Sequence, residues 1–269
     1  MIPIFIILFF TLGTIIGSFL NVVIFRLNTQ KSFLKSFGGR SACMSCYNKL
    51  CWYELIPVFS FLGLKGRCRN CMTRISIQYP LVELTTGIIF AALFLKFQDL
   101  FFIDIYGFFI AYDYYAIMFS LLLVIAVYDL RHKIIPDMLV FFLGLLAFAG
   151  LFFFGSSEFY VHTPSILEFF SGIFIALPFA FFWLISGGGW MGLGDAKLTL
   201  GLGWLLGISL ALSGLVIAFW SGAIIGIALV VLSKNSKGKR FQMKSEIPFA
   251  PFLVFGAFLA FILDLHLFY

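Results

Sequence analysis

The long apolar stretches of this sequence are the feature that most limits the folds it can adopt. A helix needs about 20 mostly apolar residues to cross the hydrocarbon core of a bilayer, where it satisfies its own backbone polar groups. The 269 residues are 62% hydrophobic and 11% charged, whereas soluble domains average about 45–50% and 25%. The sequence therefore predicts an all-α polytopic membrane protein whose outer surface contacts lipid.

We expect about eight transmembrane helices. Seven are the alternative, because the uncharged stretch 198–233 suits either two short helices or one long tilted helix. The first stretch is too long for a signal-peptide core and lacks both a preceding basic segment and an A-x-A-like cleavage site, so we expect a retained helix. The candidate spans are 2–24, 80–97, 109–128, 134–155, 165–186, 196–208, 210–232 and 249–268.

The basic residues indicate how these helices are oriented. Lys and Arg are concentrated in segments 25–79, 129–133 and 233–248, and eight spans place all three segments on one side of the membrane. Cytoplasmic loops carry an excess of Lys and Arg, so we predict that this side is cytoplasmic and that both termini face away from it. The net charge of +6 comes from separate segments and not from one basic patch, so we expect membrane lipid, and no nucleic acid, as a partner.

The same pattern divides the chain into three predicted parts. Residues 1–24 form the first transmembrane helix, residues 25–79 form a polar cytoplasmic insert, and residues 80–269 form a transmembrane helical bundle. No internal repeat can be aligned, and no Pro- or Ser-rich linker is present.

Four cysteines give the insert its predicted chemistry. Cys43-x-x-Cys46 and Cys68-x-x-Cys71 are spaced like the two knuckles of a zinc ribbon, in which each tight turn directs two thiolates at one ion. Two disulfides or free thiols are the alternatives, but a cytoplasmic insert keeps its thiols reduced, which favours a metal. Four protein ligands leave no open position, so we expect a structural zinc ion. Cys51 is interpreted as a packing residue, although its spacing would let it compete as a ligand.

Two aspartates are the candidate catalytic residues. Asp129 lies where the third span meets the cytoplasmic side, and Asp195 ends the glycine-rich segment 187–195. The predicted topology places both on the same face of the membrane. Two carboxyl groups that approach each other can share a proton, one acting as a base that activates water and the other as an acid that polarises a carbonyl. The glycines would let an extended substrate backbone come close.

Other polar residues fit simpler roles. Asp137 follows Pro136 and is expected to help start the fourth span. The glycine-rich segment lacks the G-x-x-x-x-G-K-[ST] pattern, which excludes a phosphate-binding loop. We assign no role to the three histidines, His132, His162 and His266.

Four segments taken together resemble those of a known family. They are GSFLNVVI at 17–24 followed by Arg26-Leu27, the cysteine insert with its flanks, the segment from Asp129 to Asp137, and GLGDAKL at 192–198. The insert and its flanks include WYE at 52–54, IPV at 56–58, GRCRNC at 66–71, IS at 75–76, YPLVE at 79–83 and TG at 86–87. In this order, they resemble the bacterial type IV prepilin leader peptidase/N-methyltransferases, whose second catalytic motif is GxGD. Met44 stands where many relatives have Pro, which we expect to alter the turn without abolishing metal binding.

This resemblance implies a function. It implies that Asp129 and Asp195 are the catalytic pair, and that the enzyme removes a basic leader from prepilins or pseudopilins after a glycine, at the cytoplasmic membrane face. It also implies methylation of the new N-terminal residue, usually Phe, with S-adenosylmethionine as methyl donor. No G-x-G-x-x-G follows a predicted strand, so by elimination the insert is the expected place for the donor. Glu54 and Glu83 are candidate polar contacts.

Three other functions remain open at the level of sequence. A GxGD intramembrane peptidase without methyltransferase activity would share the aspartates. A polytopic ion-coupled transporter would use intramembrane acids to bind ions, although no inverted repeat is evident and the charged residues gather at one face. A zinc-ribbon scaffold without catalytic activity would leave precursor processing independent of both aspartates.

Overall fold

The protein is helical over most of the residues that the structure describes. This computed structural model describes residues 2–27, 41–43, 45–155, 158–159, 161–189, 191–234 and 247–267. Its α-helices are α1 (Ile2–Arg26), α2 (Phe59–Gly63), α3 (Gln78–Lys96), α4 (Gln98–Ile103), α5 (Ile105–His132), α6 (Asp137–Gly150), α7 (Ile166–Ser186), α8 (Leu193–Lys234) and α9 (Ala250–Ile262). A 3-10 helix covers Trp52–Leu55, and two-residue strands β1 (Phe154–Gly155) and β2 (Glu158–Phe159) pair antiparallel.

The helices confirm the predicted fold class of a polytopic membrane protein. Five of the described helices, α1, α3, α5, α7 and α8, are long and apolar enough to cross a bilayer. Exposed Ile4 and Ile7 on α1 and exposed Leu177 and Phe181 on α7 present the apolar outer surface that lipid requires. The chain also turns back through the two-residue strands β1 and β2 after α6, and this short hairpin leaves the predicted all-α class unchanged.

The predicted spans differ most from the helices of the structure in three places. The spans predicted at 196–208 and 210–232 form one 42-residue helix, α8, which is interrupted at Gly207 (φ 72°, ψ 175°). A straight helix of that length would measure about 63 Å, roughly twice the hydrocarbon thickness. The break divides α8 into segments of 14 and 27 residues, and only the second has the length of a membrane span. The spans predicted at 134–155 and 249–268 correspond to the 14-residue α6 and the 13-residue α9. The eight-span topology therefore stays a prediction.

Some predicted features lie outside the described residues. They are Met44, Trp190 of the glycine-rich segment, and the basic residues Lys31, Lys35, Arg40, Lys237, Lys239, Arg240 and Lys244. The predicted orientation depends partly on these residues, and it stays a prediction.

The first of two compact units, Met1–Ala116, is built on the contact between α1 and α3. Gly17 of α1 packs so closely that an added Cβ would lie 2.8 Å from the Cα of Glu83. Further along the same interface, the rings of Phe9 and Phe94 stack with centroids 4.8 Å apart. The Gly17 contact lies near the end of α3 that meets the cysteine insert, and the Phe9–Phe94 contact lies near the opposite end.

The second unit, Ile117–Tyr269, is centred on α8. This helix contacts α6, α7 and α9, and glycines allow the closest approach. An added Cβ at Gly203 would lie 2.7 Å from the Cα of Gly172 and 2.8 Å from the carbonyl oxygen of Ser171. Close packing of small residues is the usual way that membrane helices associate, because lipid offers no hydrophobic driving force between them. The border between the two units lies inside α5. This division does not test the domain boundaries that were predicted from sequence.

We expect Gly203→Ala to lower the melting temperature of the purified protein. Replacing glycine by alanine in a helix interior usually stabilises the helix by about 1 kcal/mol. Here the added methyl would clash with the backbone of α7, and overpacking typically destabilises the fold by about 1–3 kcal/mol. Gly144→Ala is the matched control, because its added Cβ would meet only the Trp204 ring at 3.9 Å. It should leave the melting temperature unchanged or raise it. Equal shifts for both variants would contradict close packing at Gly203.

Candidate functional site

Asp129 lies in the last turn of α5 and is buried, with 5% of its surface exposed. The carboxyl end of a helix carries partial negative charge and disfavours an acidic side chain. Here the backbone N–H of Ala250, the first residue of α9, interacts with the Asp129 carboxylate. The unsatisfied N–H groups of a helix N-terminus are good partners for an anion, so α9 stabilises an acid that α5 alone would disfavour.

Asp195 is placed at the opposite kind of helix end. It is the third residue of α8, it is half-buried, and its carboxylate interacts with the N–H of Gly192. An acid in the first turn of a helix is favoured by the helix dipole. The glycine-rich segment before α8 therefore leads directly into a position suited to a carboxylate.

The two aspartates come together within the second unit, where their carboxyl groups interact electrostatically. Two contacts beside them hold the α5–α6 connection against the start of α8. The side chain of Ile135 packs on Gly194, where an added Cβ would lie 2.9 Å from the Cβ of Ile135. The Nζ atom of Lys197 lies 2.7 Å from Oδ1 of Asp137. The structure therefore joins the two motifs that sequence analysis singled out.

The two glycines of the GxGD motif have different surroundings. Gly194 is required by the contact with Ile135, whereas a Cβ at Gly192 would meet only the Asp195 carboxylate and the Gly194 nitrogen, at 3.6 and 3.9 Å. Gly192 is exposed, so space remains next to the Asp195 carboxylate. Upstream, Gly187 and Gly188 have φ of 57° and 84°, a conformation that favours glycine, and Gly187 ends α7. A peptide backbone could approach the acid beside Gly192.

Asp137 starts α6 directly after Pro136, as predicted. Its ion pair with Lys197 was not predicted, because the two residues are far apart in sequence. The role of the Ala250 N–H was also missed. Pro251 in the first turn of α9 indicates a helix start at this position, but no sequence pattern shows which side chain that helix end would meet.

The first unit contains a four-cysteine ribbon, which is made of Cys43, Cys46, Cys68 and Cys71. It consists of two knuckles with the same backbone geometry. In each knuckle, the carbonyl of the first cysteine accepts the N–H four residues later, from Tyr47 at 2.8 Å and from Met72 at 3.0 Å. Tyr47 and Met72 both have left-handed φ, 57° and 59°. An antiparallel bridge flanks each knuckle. This repeated geometry directs all four thiols to one point.

The thiol groups are spaced for one metal ion. The four sulfur atoms lie within 4.8 Å of one another, and Sγ of Cys43 is 3.7 Å from Sγ of Cys71. Tetrahedral Zn–S bonds of about 2.3 Å place sulfurs about 3.8 Å apart, whereas a disulfide requires about 2.05 Å. The five cysteines are free. Cys51 is outside the cluster, and its side chain is exposed, so its interpretation as a packing residue is wrong.

The hydrogen bonds of the ribbon already favour thiolates at two positions. The hydroxyl of Thr73, 3.1 Å from Sγ of Cys71, and the Thr73 backbone lower the pKa of Cys71 to about 6. Backbone hydrogen bonds from Cys46 and Ser45 lower the pKa of Cys43. Thiolates are the form that binds metal, so Cys43 and Cys71 favour a cation. A backbone hydrogen bond from Asn48 lowers the pKa of Cys46, but loss of solvation and hydrogen bonds with the other cysteine thiols outweigh it and raise this pKa to about 11.

The two glutamates proposed as polar contacts are both fixed by backbone groups. Oε2 of Glu54 accepts the Cys51 N–H at 2.7 Å. Glu83 is buried at the start of α3, and its Oε2 accepts the Val58 N–H at 2.8 Å. Sequence reasoning identified these acids but could not show that Glu83 anchors the insert.

Residues 11–97 match the bacterial peptidase A24 N-terminal domain, and residues 116–227 match the type IV leader peptidase family. No solved structure matches the chain.

Several similar proteins bear the name prepilin leader peptidase/N-methyltransferase. The one from Myxococcus xanthus strain DK1622 is 34% identical, over 91% of this chain and 69% of its own length. The one from Bacillus subtilis strain 168 is 31% identical, over 94% and 92%. The one from Pseudomonas aeruginosa is 30% identical, over 93% and 87%. The similarity covers both units.

We expect the purified protein to contain one zinc ion, measured by elemental analysis. Cys68→Ser should lose it, because a hydroxyl replaces one of four thiolates in a tetrahedral site. Cys51→Ser is the matched control and should retain the metal, since Cys51 is outside the cluster. Retention of metal by Cys68→Ser, or its loss from Cys51→Ser, would contradict this ligand set.

Proposed function

Because the chain belongs to the type IV leader peptidase family, we propose that it removes the basic leader of type IV prepilins or pseudopilins and then N-methylates the new N-terminal residue. The observation that carries the peptidase half is the meeting of Asp129 and Asp195 at the end of α5 and the beginning of α8. The catalytic assignment of these two residues is part of the proposal.

The aspartate pair supplies what peptide hydrolysis needs. One carboxylate takes a proton from water as the water oxygen attacks the scissile carbonyl carbon, while the other carboxyl group donates a proton toward the carbonyl oxygen. Collapse of the tetrahedral intermediate breaks the C–N bond, and a proton passes to the departing amine. The pair titrates jointly, so the roles of acid and base belong to the pair and not to one residue.

The surroundings of the pair suit a substrate that is half helix and half extended leader. The hydrophobic helix of a prepilin would lie in lipid, and its extended segment would reach the exposed surface at Gly192. A glycine before the scissile bond would add no side chain to this close approach. We assign this face to the cytoplasmic side of the bacterial inner membrane, as the basic segments 129–133 and 233–248 predict.

The four-cysteine ribbon is assigned a structural zinc ion. Its thiols match the ligand number and sulfur spacing of such a site, and four protein ligands leave no position for a reacting water. Zinc would then stabilise the fold of the insert, which we associate with methyl transfer. The donor, S-adenosylmethionine, carries a methyl group on a positively charged sulfur and supplies it to the amine that cleavage releases.

We expect Asp129→Asn and Asp195→Asn each to reduce prepilin cleavage by at least about 10²–10⁴-fold, the usual contribution of a positioned acid or base. The measurement is cleavage of a synthetic prepilin by the purified full chain in lipid nanodiscs. Asp99→Asn is the control, because Asp99 is exposed in α4, outside the unit that contains the pair. Cleavage at the unmodified rate by either aspartate variant would reject the catalytic assignment.

We also expect the Asp195→Asn protein to methylate a pilin peptide that already carries the mature N-terminus. Methyl transfer consumes the amine and does not need the hydrolytic pair. Incorporation of label from methyl-labelled S-adenosylmethionine into that peptide is the measurement. A wild-type protein that cleaves prepilin but transfers no methyl group would favour the alternative, a peptidase without methyltransferase activity.

A further inference from the structure

We propose that a cavity beside the four-cysteine ribbon is the binding site of the methyl donor, S-adenosylmethionine. This inference rests on the methyltransferase half of the proposed function and names its site. The cavity has a volume of about 280 Å³ and is lined by residues that include Tyr53, Glu54, Phe59, Ser60 and Arg69. That volume is near the lower end of the roughly 300–1,000 Å³ typical of small-molecule sites.

The two charges on the cavity wall match the charges of the donor. Glu54 is held in place by its 2.7 Å hydrogen bond from the Cys51 N–H to Oε2, which leaves its other oxygen for the ammonium or sulfonium group. Arg69 donates from Nη1 to the Tyr53 hydroxyl at 2.5 Å. A guanidinium has five N–H donors in a fixed plane, so the remaining ones can bind the carboxylate of the donor.

Aromatic rings provide the third element of recognition. Phe59 is 75% exposed and Tyr53 is 41% exposed, so both rings offer apolar surface beside the cavity. The guanidinium carbon of Arg69 lies 5.6 Å from the centre of the Tyr53 ring. Aromatic faces attract cations and stack on planar rings, and the donor has both a sulfonium and an adenine.

The wall of the cavity is preorganised by a strained turn. Val58 has φ 62° and ψ −50°, and the N–H of Phe59 donates to the carbonyl of Pro57 at 2.6 Å. Positive φ is rare for a β-branched residue, and such γ-turns are uncommon and strained. The buried carboxylate of Glu83 accepts the Val58 N–H. Strained backbone of this kind persists where the surroundings hold it, often at ligand sites.

The cavity is also connected to the ribbon through the chain. Arg69 follows Cys68 directly, inside the second knuckle, and Glu54 accepts the N–H of Cys51. The knuckle that places the Cys68 and Cys71 thiols therefore also places the guanidinium. In this arrangement the ribbon positions a ligand-binding arginine, and Glu83 is a positioning residue that acts through the Val58 turn.

The test is titration of the full chain in nanodiscs with S-adenosylmethionine, followed by isothermal calorimetry. Glu54→Gln and Arg69→Gln should each raise the Kd by at least about tenfold, as expected when a charged hydrogen bond is lost. Arg74→Gln is the matched control, because Arg74 is exposed in the same ribbon and does not line the cavity. Its Kd should change by less than about twofold. Prepilin cleavage and zinc content should stay at wild-type levels in all three variants.

Photolabelling of the wild-type chain with methyl-labelled S-adenosylmethionine gives a readout that does not depend on variants. Label on the peptide that contains Tyr53 and Phe59 would support the site, and label confined to other peptides would overturn it. If the wild type transfers methyl groups but the Glu54 and Arg69 variants bind the donor normally, the cavity assignment fails and the proposed function stands. If the wild type cleaves prepilin but neither binds nor transfers from the donor, the methyltransferase half fails as well.

Discussion

The contact between the α5–α6 connection and the first turn of α8 is the interaction on which the candidate peptidase site depends. Asp129 and Asp195 belong to helices that are distant in sequence, and their meeting requires the end of one helix to rest on the start of the other. Ile135 occupies the space that a side chain at Gly194 would fill, and Lys197 pairs with Asp137 beside it. The glycine of the GxGD motif next to the acid is therefore a packing requirement, whereas Gly192 leaves room for a ligand.

Helix ends make this position tolerable for acidic side chains. An acidic group at the edge of the hydrocarbon region loses water and is costly unless polar groups replace it. The N-termini of α8 and α9 supply backbone N–H groups from Gly192 and Ala250. Backbone donors are fixed by the helices that carry them, so they need no rearrangement when a substrate arrives. A short α9 that begins at the right place contributes to the site without supplying a side chain.

Sequence predicted most of the fold and the residues of the candidate site, because both depend on local patterns. Apolar length gave the helices, the spacing of Cys43, Cys46, Cys68 and Cys71 gave the cluster, and Asp137 was correctly placed at a helix start. It did not give the break of α8 at Gly207 or the short α6 and α9, because hydropathy does not fix where a helix stops inside an apolar stretch. Long-range partners such as Ile135 with Gly194, or Val58 with Glu83, depend on packing that no local pattern specifies.

The two proposed reactions make opposite demands on water, and this gives a physical reason for separate sites. Hydrolysis at the aspartate pair consumes a water molecule, so that pair needs access to solvent. Methyl transfer to an amine needs no water, and it needs the amine without its extra proton. The aspartates lie in Ile117–Tyr269 and the cavity lies in Met1–Ala116, so each unit can meet one demand. Because cleavage creates the amine that methylation consumes, the order of the two reactions is set by the chemistry of the substrate and requires no further switch.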